Sequence, residues 1–350
     1  MPPSLEINAF LSFTLAILLL FIGKGLTQRW FLLRRYSIPE PVVGGALCAA
    51  IVCLLYYVFD ISVFFELSAR DMLLLYFFAA IGLNSQISNL VKGGRPLMIL
   101  LVLASSFIVL QNFTGMAIAT GFGMDARAGL MVGSISLTGG VGTTMAWTPY
   151  FVEELGIINA GELGLAANMI GLLAACLIGG PIAGLLIRRY NTRPSGDAEL
   201  EISTLHKDEP LLRLDYHGVL LALFWLNLTL MLGQGLTALI SISGLKLPNF
   251  VGCLLAGIML RSLCDLITHE GRGRLWNWPS MQPGIALISD MSLGLFLTMA
   301  LMGLQLWELQ GVLGFIAISL AIQILLTITF VIFVVHHVMG KDYEASVMCA

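Results

Sequence analysis

Charged residues are scarce in this 350-residue chain. Asp, Glu, Lys and Arg together make up 11% of it, whereas 58% is hydrophobic. Soluble domains carry about 25% charged residues, so the composition excludes an ordinary soluble protein. The formal net charge is −3, and no basic surface for nucleic acid is indicated. We therefore expect an all-α polytopic membrane protein that resides in the lipid bilayer and has no nucleic-acid partner.

Cysteine motifs that bind metals and motifs typical of enzymes are also lacking. The six cysteines have no metal-ligand spacing, so we interpret them as packing thiols rather than a disulfide framework. Neither an HExxH nor a GxSxG motif occurs, and no span holds paired acids at helical spacing. These absences make an intramembrane enzyme the least favoured function, and no organic cofactor is expected.

Long apolar runs dominate what is present, and nine are close to or above the roughly 20 residues that cross a bilayer as a helix. They cover 8–28, 41–59, 71–90, 97–121, 164–188, 216–242, 248–266, 285–306 and 312–338. The longest polar interval, 191–215, divides them into two groups. We predict a first repeat over 1–190, a cytoplasmic linker over 191–215 and a second repeat over 216–350.

One segment breaks the apolar pattern: Gly133-Ser-Ile-Ser-Leu-Thr-Gly-Gly-Val-Gly-Thr-Thr144 combines four glycines with five hydroxyls. Each glycine weakens a helix by roughly 1 kcal/mol relative to alanine. Irregular backbone at membrane depth is tolerated only where it is buried in protein or lines a wet cavity. We expect a re-entrant loop over about 128–150 that lines a solute site. A glycine-rich packing surface between spans is the alternative.

The distribution of Lys and Arg favours the re-entrant loop. If the N-terminus is outside and 128–150 returns to the side from which it came, 15 of the 18 basic residues lie inside and 3 outside. This is the asymmetry that the positive-inside rule describes. A full crossing would move the basic residues of the linker outside and remove the asymmetry. We therefore predict an external N-terminus and a cytoplasmic linker.

Short segments of the first half recur in order in the second half. The matched pairs are 38–42 with 247–251, 78–83 with 299–304, and 123–128 with 340–345. Since the first half starts outside and the second inside, the repeats are inverted, as in many secondary transporters. We expect two inverted-topology repeats of about five spans, each with a re-entrant loop. The chain stops where the second loop would begin, so the second repeat is expected to be incomplete at its C-terminus.

Four stretches, 36–45, 77–84, 133–143 and 300–308, resemble the bacterial sodium/glutamate symporter family. The resemblance implies a sodium-coupled importer of L-glutamate in the inner membrane that works by alternating access. It also implies five-span inverted repeats, a homodimer and an elevator-like motion. Members of the family often carry His where this chain has Val141, a difference that bears on substrate preference rather than on the loop.

The predicted site must hold an anion without cationic side chains, because no Lys or Arg lies in the core of a predicted span. A helix N-terminus after a glycine-rich turn offers unpaired N–H groups and about half a positive charge. A bound Na+ beside the anion would supply the missing positive charge. The predicted substrate-binding residues are Ser136, Thr138, Gly139, Gly140, Gly142, Thr143 and Thr144. The predicted sodium ligands are Ser134, Asn84 and Thr138.

Other interpretations of these residues and of the whole chain remain open. Hydroxyls in spans commonly bond the i−4 carbonyl of their own helix. Interhelical hydrogen bonds are the simpler explanation for five amides within spans, Gln111, Asn112, Asn168, Asn227 and Gln323. At the level of function, the alternatives are a carrier of another organic anion, such as aspartate or a hydroxycarboxylate, an ion channel, and a transport-inactive truncated membrane protein.

Overall fold

A computed structural model describes residues 4–35, 38–87, 94–172, 174–175, 215–242, 247–267 and 276–335. The helices are α1 (Ala9–Arg29), α2 (Phe31–Arg35), α3 (Glu40–Phe59), α4 (Ser68–Asn84), α5 (Gly94–Gly121), α6 (Ala128–Met131), α7 (Ser134–Leu137), α8 (Gly140–Glu153), α9 (160–172), α10 (Tyr216–Ile242), α11 (Asn249–Ile267), α12 (Trp278–Met302) and α13 (Leu313–Phe330). A 3-10 turn, Leu306–Leu309, precedes α13, and a π-helical turn, Val331–Val335, follows it.

Seven helices of the described part are long and apolar enough to cross a membrane: α1, α3, α5, α10, α11, α12, and α13 with its π-helical turn. This finding confirms the expected all-α polytopic fold class. Two short strands, which the sequence did not lead us to expect, accompany the helices. The strand β1 (Ser4–Ile7) pairs in parallel with β2 (Ser62–Phe65) and ties the start of the chain to the α3–α4 connection.

Some span boundaries differ from the predicted ones because capping residues and prolines set them. The predicted span 285–306 begins earlier, at Trp278, where the Asn277 side chain accepts a hydrogen bond from the Ser280 N–H. Pro279 fits this first helical turn, since no partner is needed there for the N–H that proline lacks. The predicted span 71–90 is α4 and ends at Asn84. Residues 191–214, most of the predicted linker, and 336–350, with the second copy of the 123–128 motif, lie outside the described residues.

The helices pack as two groups. Bundle A consists of α1, α3, α4, α10, α11 and α12, and bundle B consists of α5 to α9 and α13. The core of bundle B includes Met131 of α6, Phe151 of α8 and Phe315 of α13, all nearly inaccessible to solvent. The two bundles meet mainly through α8, whose Val141 packs with Phe296 of bundle A in an apolar cluster.

Bundle A interleaves helices from the two halves of the chain. Helix α3 packs on α12, and α11 packs on α4. Glycine allows both approaches: a Cβ added at Gly45 would lie 2.6 Å from the Leu301 Cβ, and one added at Gly82 would lie 2.4 Å from the Leu254 carbonyl oxygen. Leaving aside the five-residue α2, the second helix of each half therefore contacts the third helix of the other half, and the halves interlock.

Candidate functional site

The glycine-rich segment is broken into three short helices, α6, α7 and α8. The first break falls at Val132 and Gly133, and the second at Thr138 and Gly139. Gly140 has φ +77°, a left-handed conformation that glycine adopts at little cost. The segment is therefore not a continuous helix, as its composition predicted. The return of the chain to the same membrane face remains a prediction.

A turn held by a charged side chain leads into this segment. Arg127 donates from its backbone N–H and from its guanidinium to Asp125, with an Nη2 to Oδ2 distance of 2.6 Å. These hydrogen bonds lower the pKa of the Asp125 carboxyl to about 2. The charged carboxylate and the Arg127 guanidinium together close the turn before α6.

The N-terminus of α8 has no side-chain cap. Its N-cap, Gly139, makes no side-chain hydrogen bond, and both Gly139 and Thr138 are exposed. In any helix the first N–H groups lack an acceptor in a preceding turn. For α8 these are the N–H groups of Gly140, Val141 and Gly142. The second break therefore presents a row of backbone donors and the positive end of a 14-residue helix at an accessible point.

Threonine hydroxyls of α8 donate their hydrogen bonds within the helix. Thr143 Oγ1 donates to the Gly139 carbonyl at 2.8 Å, and Thr144 Oγ1 donates to the Gly140 carbonyl at 2.9 Å. Both are i−4 bonds of the kind common in spans. These two hydroxyls can still accept or coordinate, but they are not free to donate to a carboxylate. Backbone N–H groups are consequently the main donors of the site.

The hydroxyls of α7 connect the segment to α5. Ser134 Oγ donates to Asn112 Oδ1 at 2.5 Å, and Thr138 Oγ1 donates to Gln111 Oε1 at 2.7 Å. Gln111 is 2% exposed. Two adjacent amides of one long helix therefore hold α7 at both of its ends, immediately before the second break.

Two further amides complete a buried polar network in bundle B. Asn168 of α9 donates from Nδ2 to the Ser136 carbonyl at 2.6 Å, while Ser136 itself is fully buried. Gln323 of α13 donates from Nε2 to the Gln111 carbonyl at 2.9 Å. In bundle A, Tyr76 donates to Asn227 Oδ1 at 2.8 Å. The expected interhelical hydrogen bonding of the span amides is thus confirmed.

The predicted site residues are only partly assembled. Ser134, Ser136, Thr138, Gly139, Gly140, Gly142, Thr143 and Thr144 lie together in bundle B, around the second break. Gly142 also faces bundle A: a Cβ added there would lie 3.3 Å from Leu74 and Phe78 atoms of α4. Asn84 lies six residues beyond Phe78, about 9 Å farther along α4 at 1.5 Å per residue. Within the described residues, no hydrogen bond joins Asn84 to Ser134 or Thr138.

Sequence reasoning missed a buried cation in bundle A. Arg261 lies within the predicted span 248–266, five residues from its end, and it is only 3% exposed. Its Nε donates to Asp265 Oδ2 at 2.6 Å, the other carboxylate oxygen accepts from Trp276 Nε1, and the guanidinium carbon lies 3.3 Å from the Trp278 ring centroid. The i, i+4 spacing of Arg and Asp at the end of a span is the signal that could have indicated this pair.

Comparison with known proteins identifies the family. The profile described as "Sodium/glutamate symporter" matches residues 5–350. A sodium/glutamate symporter of Escherichia coli K12 is 35% identical over 337 residues, which cover 96% of this chain and 82% of that protein. A sodium/glutamate symporter of Haemophilus influenzae is 32% identical over 350 residues, or 99% of this chain and 85% of that protein. The chain belongs to the sodium/glutamate symporter family.

Proposed function

We propose that this chain is a secondary transporter that uses the sodium gradient to import L-glutamate across the inner membrane by alternating access. Family membership over nearly the whole chain supports the substrate and the coupling ion. Within the structure, one observation carries the proposal: the uncapped N-terminus of α8 at an exposed break in bundle B.

The N-terminus of α8 binds a carboxylate of glutamate. The N–H groups of Gly140, Val141 and Gly142 donate, and the helix dipole favours the negative charge. Gly140 places no Cβ in the open space at this helix end, so the ligand reaches the backbone directly. Thr138 and Gly139 form the accessible edge of this site, since both are exposed.

Sodium binds beside the substrate and supplies positive charge that no side chain provides. The oxygens of Ser134 and Thr138 lie at the two ends of the short helix α7, and their hydrogen-bond partners on α5 hold them in place. A cation next to an anion stabilises it, so each ligand raises the affinity for the other. This mutual stabilisation is the physical basis of coupling.

Alternating access follows from motion of bundle B relative to bundle A. Their shared surface is largely apolar, with Val141 and Met145 of α8 against Leu74 and Phe296 of bundle A, and such a surface can slide without breaking many hydrogen bonds. The exchanged packing of α3 on α12 and of α11 on α4 is what two inverted repeats would produce. An external N-terminus, a cytoplasmic linker, a re-entrant 128–150 segment and a homodimer belong to this proposal.

Uptake by purified protein in liposomes tests the proposal. Labelled L-glutamate should accumulate when an inward Na+ gradient is imposed and should not accumulate when K+ replaces Na+. Excess unlabelled glutamate should abolish the signal. If aspartate or a hydroxycarboxylate competes better than glutamate, the substrate assignment is wrong. If uptake is the same with Na+ and K+, the coupling assignment is wrong.

A further inference from the structure

Helix α13 carries two buried oxygens that have no hydrogen-bond partner in the described structure. They are Ser319 Oγ and Gln323 Oε1, and their residues are 0% and 1% exposed. Buried polar atoms in proteins are nearly always paired, because an unpaired one loses its hydration without compensation. Two unpaired oxygens on one helix, in the bundle that holds the candidate site, indicate that a common ligand binds there.

The orientation of the Gln323 amide is fixed by its neighbour. Its Nε2 donates to the Gln111 carbonyl, which can only accept. Turning the amide over would place two oxygens against each other, so Oε1 has to point away from α5. The unpaired oxygen is therefore a consequence of the network and cannot be removed by exchanging the two amide atoms.

Ser319 differs from three threonines on long helices that use their hydroxyls within the helix. Thr229 and Thr298, both fully buried, donate to the i−4 carbonyl at 2.8 and 2.9 Å. On α13 itself, Thr327 donates to the Gln323 carbonyl at 2.8 Å. The same acceptor type is within reach of any helical serine. Ser319 does not use it, which leaves both its proton and its lone pairs available in the interior.

The two oxygens lie on one face of α13, because residues four apart in a helix are neighbours. That face adjoins the candidate site through Gln111, whose carbonyl accepts from Gln323 and whose side chain accepts from Thr138. One residue of α5 thus connects the unpaired pair on α13 to the edge of the glutamate site.

The chemistry of the pair favours a monovalent cation. Both atoms are neutral oxygens, and α13 contains no charged residue from Leu313 to Phe330. Divalent cations such as Ca²⁺ and Mg²⁺ are usually held by carboxylates. Among the described residues, no group of three His, Cys, Asp or Glu side chains could hold a metal. Hydroxyl and amide oxygens without a counter-charge match a weakly held ion such as Na+.

We propose that Ser319 Oγ and Gln323 Oε1 are ligands of a co-transported Na+ held between α13 and the α5–α7 network. The inference rests on the proposed function and deepens it, since it places a sodium site on the second half of the chain. Sodium on α13 fixes Gln323, Gln323 fixes Gln111, and Gln111 fixes Thr138 at the edge of the glutamate site. Ion binding would in this way order the substrate site.

Thermal unfolding of the purified full chain without glutamate tests the site directly. The wild type should melt at a higher temperature in NaCl than in choline chloride of equal concentration. Ser319→Ala should reduce that difference and leave the melting temperature in choline unchanged or higher, because it removes a hydroxyl that makes no hydrogen bond. Ser319→Cys keeps a small side chain but replaces the oxygen with a larger sulfur, and it should behave in the same way. Thr327→Val, two turns along α13, removes a paired hydroxyl and should keep the response to Na+.

Uptake kinetics separate this inference from the proposed function. Ser319→Ala should raise the Na+ concentration for half-maximal uptake by about tenfold, while the KM for glutamate at saturating Na+ stays within about twofold. If the wild type shows Na+-driven uptake and Ser319→Ala keeps the wild-type Na+ dependence, the site on α13 is refuted and the function stands. Equal destabilisation in NaCl and in choline would also refute the site, since it would indicate a structural hydroxyl or a buried water. A wild type with neither uptake nor a response to Na+ would overturn both.

Discussion

The hydroxyl of Thr138 donates to the side-chain oxygen of Gln111 at 2.7 Å, and this bond ties the exposed edge of the glycine-rich segment to the interior of α5. Gln111 is held from its other side by Gln323, which donates to its backbone carbonyl. A chain of amides that begins on α13 therefore reaches Thr138, the residue next to the α8 N-cap.

Replacing Thr138 with valine should weaken glutamate uptake. The substitution leaves the buried Gln111 side-chain oxygen unpaired, at a cost of about 1–3 kcal/mol, and frees the end of α7. Thr138→Ser keeps the hydroxyl and should retain most of the activity. Uptake rates and melting temperatures of both variants provide the check. Equal loss in the two variants would mean that the methyl group matters and the hydrogen bond does not.

Alanine at position 140 should impair the site through its backbone conformation, and its methyl group would enter the space proposed for the anion. Gly140 has φ +77°, yet a Cβ there would meet no atom within 4 Å. A left-handed alanine costs roughly 1–2 kcal/mol, which corresponds to about a 5- to 30-fold change in an equilibrium. Gly121→Ala is the matched control, because Gly121 also has open space but an ordinary φ. Glutamate uptake should fall for Gly140→Ala and stay near the wild-type rate for Gly121→Ala.

Gly129→Ala should destabilise bundle B. A Cβ at Gly129 would lie 2.1 Å from the Gly115 carbonyl oxygen, so the backbones of α5 and α6 would have to separate. Overpacking of this kind typically costs about 1–3 kcal/mol. Gly25→Ala on α1 places its methyl in open space and should be neutral. Thermal unfolding in detergent distinguishes the two, and equal melting temperatures would contradict the close packing of α5 and α6.

The Arg261–Asp265 pair should stabilise bundle A. Removing one partner of a buried ion pair lowers the free energy of unfolding by about 3 kcal/mol or more. The Asp265 side chain is 29% exposed, which makes this loss somewhat smaller. Arg261→Met should therefore lower the melting temperature clearly. Arg261→Lys should rescue it poorly, because lysine cannot reproduce the flat stacking on Trp278. Arg127→Met, which breaks an exposed pair, should change little; an equally large loss there would count against the role of burial.

The sequence predicted the kind of fold and the position of the broken segment, because length, hydropathy and glycine content act locally. The seven long apolar helices and the breaks near Gly133 and Gly139 follow from such local properties. It did not predict that α3 packs on α12. Spanning helices are apolar on all sides, so their sequences do not specify which face meets which neighbour.

The sequence also indicated the site only in part. The composition of 133–144 indicates a site rich in glycine and hydroxyl groups. In the structure, however, the hydroxyls of Thr143 and Thr144 donate to carbonyls of their own helix segment. The partners of the span amides and the lack of a partner for Ser319 depend on helices far apart along the chain. Such contacts arise from tertiary packing, which a single sequence does not show.

Equilibrium binding of labelled L-glutamate to the purified protein tests the central claim, a glutamate site whose affinity depends on sodium. We expect glutamate affinity to rise with NaCl and not with choline chloride. By thermodynamic linkage, glutamate should raise the affinity for Na+ by the same factor. Equal glutamate affinity in the two salts, or no binding in either, would contradict a sodium-coupled glutamate site.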